Sequence, residues 1–198
     1  MRFRKPRKIR LIIIACLLIN SAAAVYGARS LEEYRELKRQ WVYNVARFVT
    51  WPARSFSLTD TPFIVGIIGE ELQKAEDLFK GKTIQGRKVE VKRFNSAYDV
   101  KFCHLLYISA SQKNSVSSII MNSKRLKPST GGGTSRVLTS TSSAILTISD
   151  MENFIQKGGM VQLVVKENKI RFQVNQTSAK KAGLKISSQL LKLADSVQ

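Results

Sequence analysis

Apolar positions repeat along this chain with two different periods. From Leu31 to Thr50 the residues Leu31, Tyr34, Leu37, Trp41, Val45, Phe48 and Val49 recur at steps of three and four. That spacing predicts an amphipathic helix, with Glu32, Glu33, Arg35, Glu36, Lys38 and Arg39 on its other faces. The helix should stop at Trp51, because Pro52 disfavours helical backbone in the residue before it. Phe63 to Ile68 and Phe102 to Ile108 are apolar runs of the kind found in strands covered on both faces, and Ala144 to Ile148 predicts another strand. Val89 and Val91 alternate with Lys88, Glu90 and Lys92, an alternating strand whose lysines suit a sheet edge. Between these strands, Glu70 to Phe79 and Gln112 to Met121 carry helical spacing. Asp150 is placed to cap a short helix over Met151 to Lys157, with Gly158-Gly159 as its stop.

The C-terminal third predicts a hairpin. Met160 to Val165 is nearly all apolar, and Glu167-Asn168 sits where a tight turn belongs. On the return, Ile170, Phe172 and Val174 alternate with Arg171, Gln173 and Asn175. A short helix ending at Gly183 and a second over Ser187 to Ala194 close the chain. Strands and helices alternate from residue 63 to 157 before the hairpin. The expected fold class is therefore α/β: a single-domain α/β sandwich with a mixed β-sheet and helices packed on it.

Composition changes this picture at two places. Residues 1–27 hold Arg2, Arg4, Lys5, Arg7, Lys8 and Arg10 without an acid, then an apolar run from Leu11 to Ile19, then Ala22-Ala23-Ala24. This is the layout of an N-terminal secretory signal peptide, which predicts export of the mature chain, 28–198. A retained anchor, or lipoprotein processing at Cys16, are the other readings of the same stretch. Removing six cations from the formal charge of +19 leaves +13. That excess favours anionic surfaces without specifying one. The second place is 124–143, where Lys124, Arg125 and Lys127 lead into a stretch rich in Ser, Thr and Gly. It reads as a flexible basic insertion.

Reactive chemistry is sparse. His104 is the sole histidine and Cys103 the only thiol after residue 27. A metal site needs several ligands at fitting spacing, and neighbouring strand residues point to opposite faces, so the two form neither a metal site nor a nucleophile–base pair. Both are expected to pack in the sheet. One cysteine allows no internal disulfide in the mature chain. Gly81-Lys82-Thr83 lacks the glycine that a phosphate-binding loop requires five residues earlier. No cofactor, no metal and no enzyme activity are expected.

Three blocks carry a family resemblance: "VYNVARFVTWP" at 42–52, "CHLLYIS" at 103–109, and the C-terminal run through "IRFQVN" to "ISSQLLKLA". Together they resemble the YfiR-like family over Leu37 to Ala194. The resemblance implies a non-enzymatic periplasmic regulator that binds the periplasmic part of a membrane signalling protein. That protein would be a diguanylate cyclase or a sensor kinase, which the regulator would inhibit or sense for. It also implies a homodimer. Trp51, Pro52 and Trp41 are the expected partner-binding residues; a buried plug closing the helix end is the other role open to Trp51. The competing function is a basic envelope protein that binds anionic polymers, polysaccharide or nucleic acid. No specific nucleic acid is expected, since no aromatic–basic RNA motif is present. A hydrolase with an unseen site is the third possibility.

Overall fold

The computed structural model describes residues 32–70, 72, 74–126, 144–167 and 169–198. The signal peptide expected over 1–27 and most of the insertion expected over 124–143 lie outside them. The chain divides into two compact units, Met1–Leu37 and Lys38–Gln198. In the first, residues 32–37 are helical, and Arg35 pairs with Glu32 at 3.7 Å. The helix, α1, spans residues 32–47. In the second unit it buries Val42, Val45 and Ala46.

The second unit is built on an eight-stranded mixed sheet. In chain order the strands are β1 (Val49–Thr50), β2 (Phe63–Ile68), β3 (Thr83–Ile84), β4 (Arg87–Phe94), β5 (Leu105–Ile108), β6 (Leu146–Ser149), β7 (Val161–Lys166), β8 (Lys169–Val174), β9 (Lys185–Ile186) and β10 (Ser196–Val197). The helices after α1 are α2 (Ala75–Phe79), α3 (Val116–Ser123), α4 (Gln176–Lys181) and α5 (Ser188–Leu193). The large sheet has the order β10-β8-β7-β6-β5-β2-β4-β3, and β1 pairs with β9 in a separate ribbon. β4, β2, β5, β6 and β7 run parallel; β7–β8 and β3–β4 are antiparallel, and β10 lies parallel to β8. The α/β class with a mixed sheet is thus the architecture found.

Parallel strands must bury both faces, because crossovers cover them. Ile68, Phe94, Cys103, Leu106 and Ile108 join Val116, Ile119 and Ile120 of α3 in one apolar cluster. Val65, Ile67, Leu105 and Tyr107 are buried in alternation with them. Gly66 lets this layer close up: a Cβ there would lie 2.7 Å from the Phe94 ring and 2.8 Å from Cys103 Sγ.

Several boundaries depart from the sequence pattern. α1 ends at residue 47 rather than 50, because Val49 and Thr50 pair with Ile186 and Lys185 across the chain. α2 begins at Ala75, after a left-handed Lys74 with φ 59°. The strand at 89–91 lengthens to Arg87–Phe94 and lies one place in from the edge, with the two-residue β3 outside it. The helix expected over Met151 to Lys157 is a series of turns. Asn153, at φ 57°, breaks helical continuity, and the amides of Met151 and Phe154 donate to Ser149 Oγ (3.0 Å) and Gln162 Oε1 (2.9 Å) instead. Asp150 caps nothing there; its carboxylate pairs with Lys38 on α1. Val165, expected under cover, is 51% exposed at the far end of the hairpin.

Candidate functional site

The segment after α1 makes a sharp descent into the protein. β1 carries the chain to Trp51, which is only 3% exposed. Pro52, extended at φ −65° and ψ 148°, then opens a short 3-10 turn at Ala53–Ser55. Trp51 Nε1 donates a 2.9 Å hydrogen bond to the backbone carbonyl of His104, and its ring meets Phe63 edge-on at 4.8 Å between centroids. The same His104 carbonyl accepts from the Leu146 amide at 2.9 Å. One carbonyl at the start of β5 therefore holds both the next strand and the tryptophan.

The His104 ring is a buried structural tie. It stacks between Phe56 (4.5 Å) and Phe63 (4.9 Å), and Phe102 meets it edge-on at 5.1 Å. Nδ1 accepts from the Ile64 amide at 2.9 Å, and Nε2 donates to the Ser55 carbonyl at 3.1 Å. Those two bonds require the neutral tautomer protonated on Nε2. Burial pushes its pKa from the ordinary 6.5 down to about 4; the Ser55 carbonyl opposes that shift and the Arg87 charge adds to it. Arg87 itself lies over Phe56 at 4.0 Å and donates to the carbonyls of Leu58 (2.9 Å) and Thr61 (2.7 Å).

The pH dependence of stability follows with a definite sign. The unfolded chain protonates His104 near pH 6.5, whereas the folded chain resists until about 4. This contribution is intact above pH 6.5 and is lost as pH falls through that window, by about 3 kcal/mol in all. Urea unfolding at pH 7.5 and pH 4.5, on the natural protein and on His104→Gln, measures it. The variant should lose most of the difference attributable to this window; an unchanged pH profile would show that His104 is not the titrating group.

Around this cluster the surface is differently composed. Pro52 is half-buried, while Ala53, Arg54 and Leu58 are exposed. Gly183, at φ 78°, lies against them: a Cβ there would sit 2.6 Å from Arg54 Nη2 and 4.0 Å from Pro52 Cγ. The Ser187 amide donates to the Phe48 carbonyl at 2.9 Å, extending the β1–β9 ribbon. Trp51 and Pro52 thus share one site with Arg54 and Gly183. Trp41 does not join it; it is half-buried on α1 against Phe172, at 5.2 Å. Cys103 also parts from His104. Its thiol sits in the apolar cluster, where burial pushes its pKa up to about 12. Sequence reasoning did not find Phe56, Arg87 or Gly183 as members of the site. Gly183 carried a signal, a glycine ending a helix, but nothing local tied it to Pro52.

Among the described residues no cluster of three or more His, Cys, Asp or Glu could hold a metal ion, and no helix is long and apolar enough to cross a membrane.

A family model described as YfiR/HmsC-like matches residues 35–195. The solved structure of a conserved domain protein from Vibrio cholerae O1 biovar eltor strain N16961 is 14% identical, with a TM-score of 0.44. That match covers 69% of this chain and 55% of the other, so the chain spans little more than half of that protein's length. No curated protein matches the chain.

Proposed function

Since the chain belongs to the YfiR/HmsC-like family, whose members are periplasmic regulators, we propose that it is exported by residues 1–27 and controls a membrane signalling protein from the periplasm. The partner class is a diguanylate cyclase or a sensor kinase, engaged through its periplasmic region, with the regulator acting as a homodimer. One observation supports this reading above others. The three sequence blocks that carry the family resemblance are far apart in the chain, yet two meet at the bond from Trp51 to the His104 carbonyl and the third pairs with Val49 and Thr50 just before it. Trp51 and His104 join Phe56, Phe63 and Phe102 in a ring cluster beside a small surface of Pro52 and Arg54. Such a construction suits docking rather than turnover. In this reading Trp51 supports the surface, Pro52 and Arg54 present it, and Trp41 is a separate contact on α1, beside Phe172. Control would arise from unequal affinity for two states of the partner, since a regulator shifts an equilibrium only by that difference.

Affinity capture from solubilised envelopes tests this. The expected result is one membrane signalling protein, retained at high salt and lost on Arg54→Glu, with the bait sedimenting as a dimer at micromolar concentration. Recovery only of polyanions, released at moderate salt, would replace it with the anionic-polymer reading, whose attraction is screened.

A further inference from the structure

A cavity of about 160 Å³ lies where α3, β6 and α4 meet. Its apolar wall is Ile120 from α3, Ile145 just before β6, Met160 just before β7 and Ala182 at the end of α4, all buried. That volume holds a body about the size of one benzene ring. An apolar hollow with a few convergent polar groups is the ordinary form of a small-ligand site.

The polar groups in this wall hold unused donors. Thr147 is 2% exposed; its Oγ1 accepts from the Met160 amide at 3.1 Å, while its own O–H meets no acceptor among the described residues. The hydroxyl of Ser178, another lining residue, makes no hydrogen bond among them either. Ser123 differs, because its O–H is taken by the Ile120 carbonyl at 2.8 Å within the same helix.

The rim is basic. Lys124 and Lys181 are the exposed lining residues, and no lining residue is acidic. Lys157 adjoins Gly158 and Lys180 adjoins Lys181 in the chain, against Glu152 and an Asp150 already paired with Lys38. The Lys124 side chain makes no ion pair or hydrogen bond among the described residues, so it does not cap the carbonyls at the end of α3. Its Nζ lies instead toward Gly158, 3.9 Å from where a Cβ would stand. Gly158, at φ 90°, has no side chain to narrow the entrance.

We propose that this cavity binds a small monocarboxylate, with the apolar body among Ile120, Ile145, Met160 and Ala182 and the carboxylate facing Lys124 and the unused Thr147 hydroxyl. A carboxylate carries acceptors only, so it satisfies these donors where an amine or an amide nitrogen would not. The site shares no lining residue with the Trp51 surface, and the inference goes beyond the regulatory reading without depending on it.

The probe is sodium benzoate, titrated into the full chain and read by the NMR shifts of the Ile120, Ile145, Met160 and Ala182 methyls. These should move and saturate at about millimolar concentration or below. Benzamide, which replaces one acceptor oxygen with a donor NH₂, should bind about tenfold more weakly. Lys124→Glu, at an exposed position, should weaken benzoate about tenfold and leave the thermal midpoint within a few degrees. Ala182→Leu, which fills the hollow, should abolish binding of both compounds. Benzoate shifts confined to other residues, equal affinity for benzamide, or undiminished binding to the Lys124→Glu protein would each overturn the proposal. None of these outcomes bears on the envelope capture, which fails or succeeds on the membrane partner alone.

Discussion

Replacing Trp51 with alanine should lower the unfolding free energy by about 3–5 kcal/mol, the usual range for removing a buried aromatic ring. Three losses coincide. The ring is 3% exposed, so its removal opens a cavity. The edge-on contact with Phe63 disappears, and so does the 2.9 Å bond to the His104 carbonyl. For a chain of this size, each kcal/mol moves the thermal midpoint by about 2–4 °C, so a fall of roughly 10 °C is expected. Trp51→Phe keeps most of the packing and loses only the N–H donor. Because Leu146 still occupies the carbonyl, the phenylalanine variant should lose roughly 1–2 kcal/mol. Calorimetry on both variants decides it. A Trp51→Ala protein that melts within a degree or two of the natural one would mean the ring carries little of the core.

Lys38→Met should be comparably costly, by about 3–5 kcal/mol, for a different reason. Lys38 and Asp150 form an ion pair whose side chains are only 8% and 9% exposed. Asp150 Oδ1 has no hydrogen-bond partner among the described residues, so Oδ2 carries the contact that compensates this carboxylate. Removing the ammonium strands a buried negative charge. The pair links α1 to the end of β6, so the loss falls on the docking of that helix rather than on the sheet. The double variant Lys38→Met with Asp150→Leu should recover most of the loss, since an apolar pair of similar volume removes the desolvation penalty altogether. Urea midpoints of the single and double variants measure the coupling. A single variant within about 1 kcal/mol of the natural protein would show that Asp150 is compensated by other means.

Much of the sheet was legible in the sequence. Phe63 to Ile68 has the boundaries of β2, because a strand buried on both faces must be apolar throughout. The hairpin of β7 and β8 followed from alternation and from Glu167-Asn168, where Glu167 takes a left-handed φ of 51°. The Ala/Gly helix before Gly183 is α4. The errors fell where a distant partner overrode local spacing. Val49 and Thr50 carry helical periodicity but pair with Lys185 and Ile186. Asp150 has the form of a helix cap, and Lys38 claims it from 112 positions away.

Local order therefore located the central strands and most of the helices, and indicated that the sheet is buried and that Cys103 and His104 are not a reactive pair. These depend on side-chain period and on the scarcity of ligands, which are properties of neighbours in the chain. The tertiary structure alone decided that Trp51, His104 and the ribbon after Gly183 form one site, and that α3, β6 and α4 line one cavity. Both depend on which backbone groups find partners across long separations, and hydrogen-bond pairing of that kind leaves no periodic trace in the residues that make it.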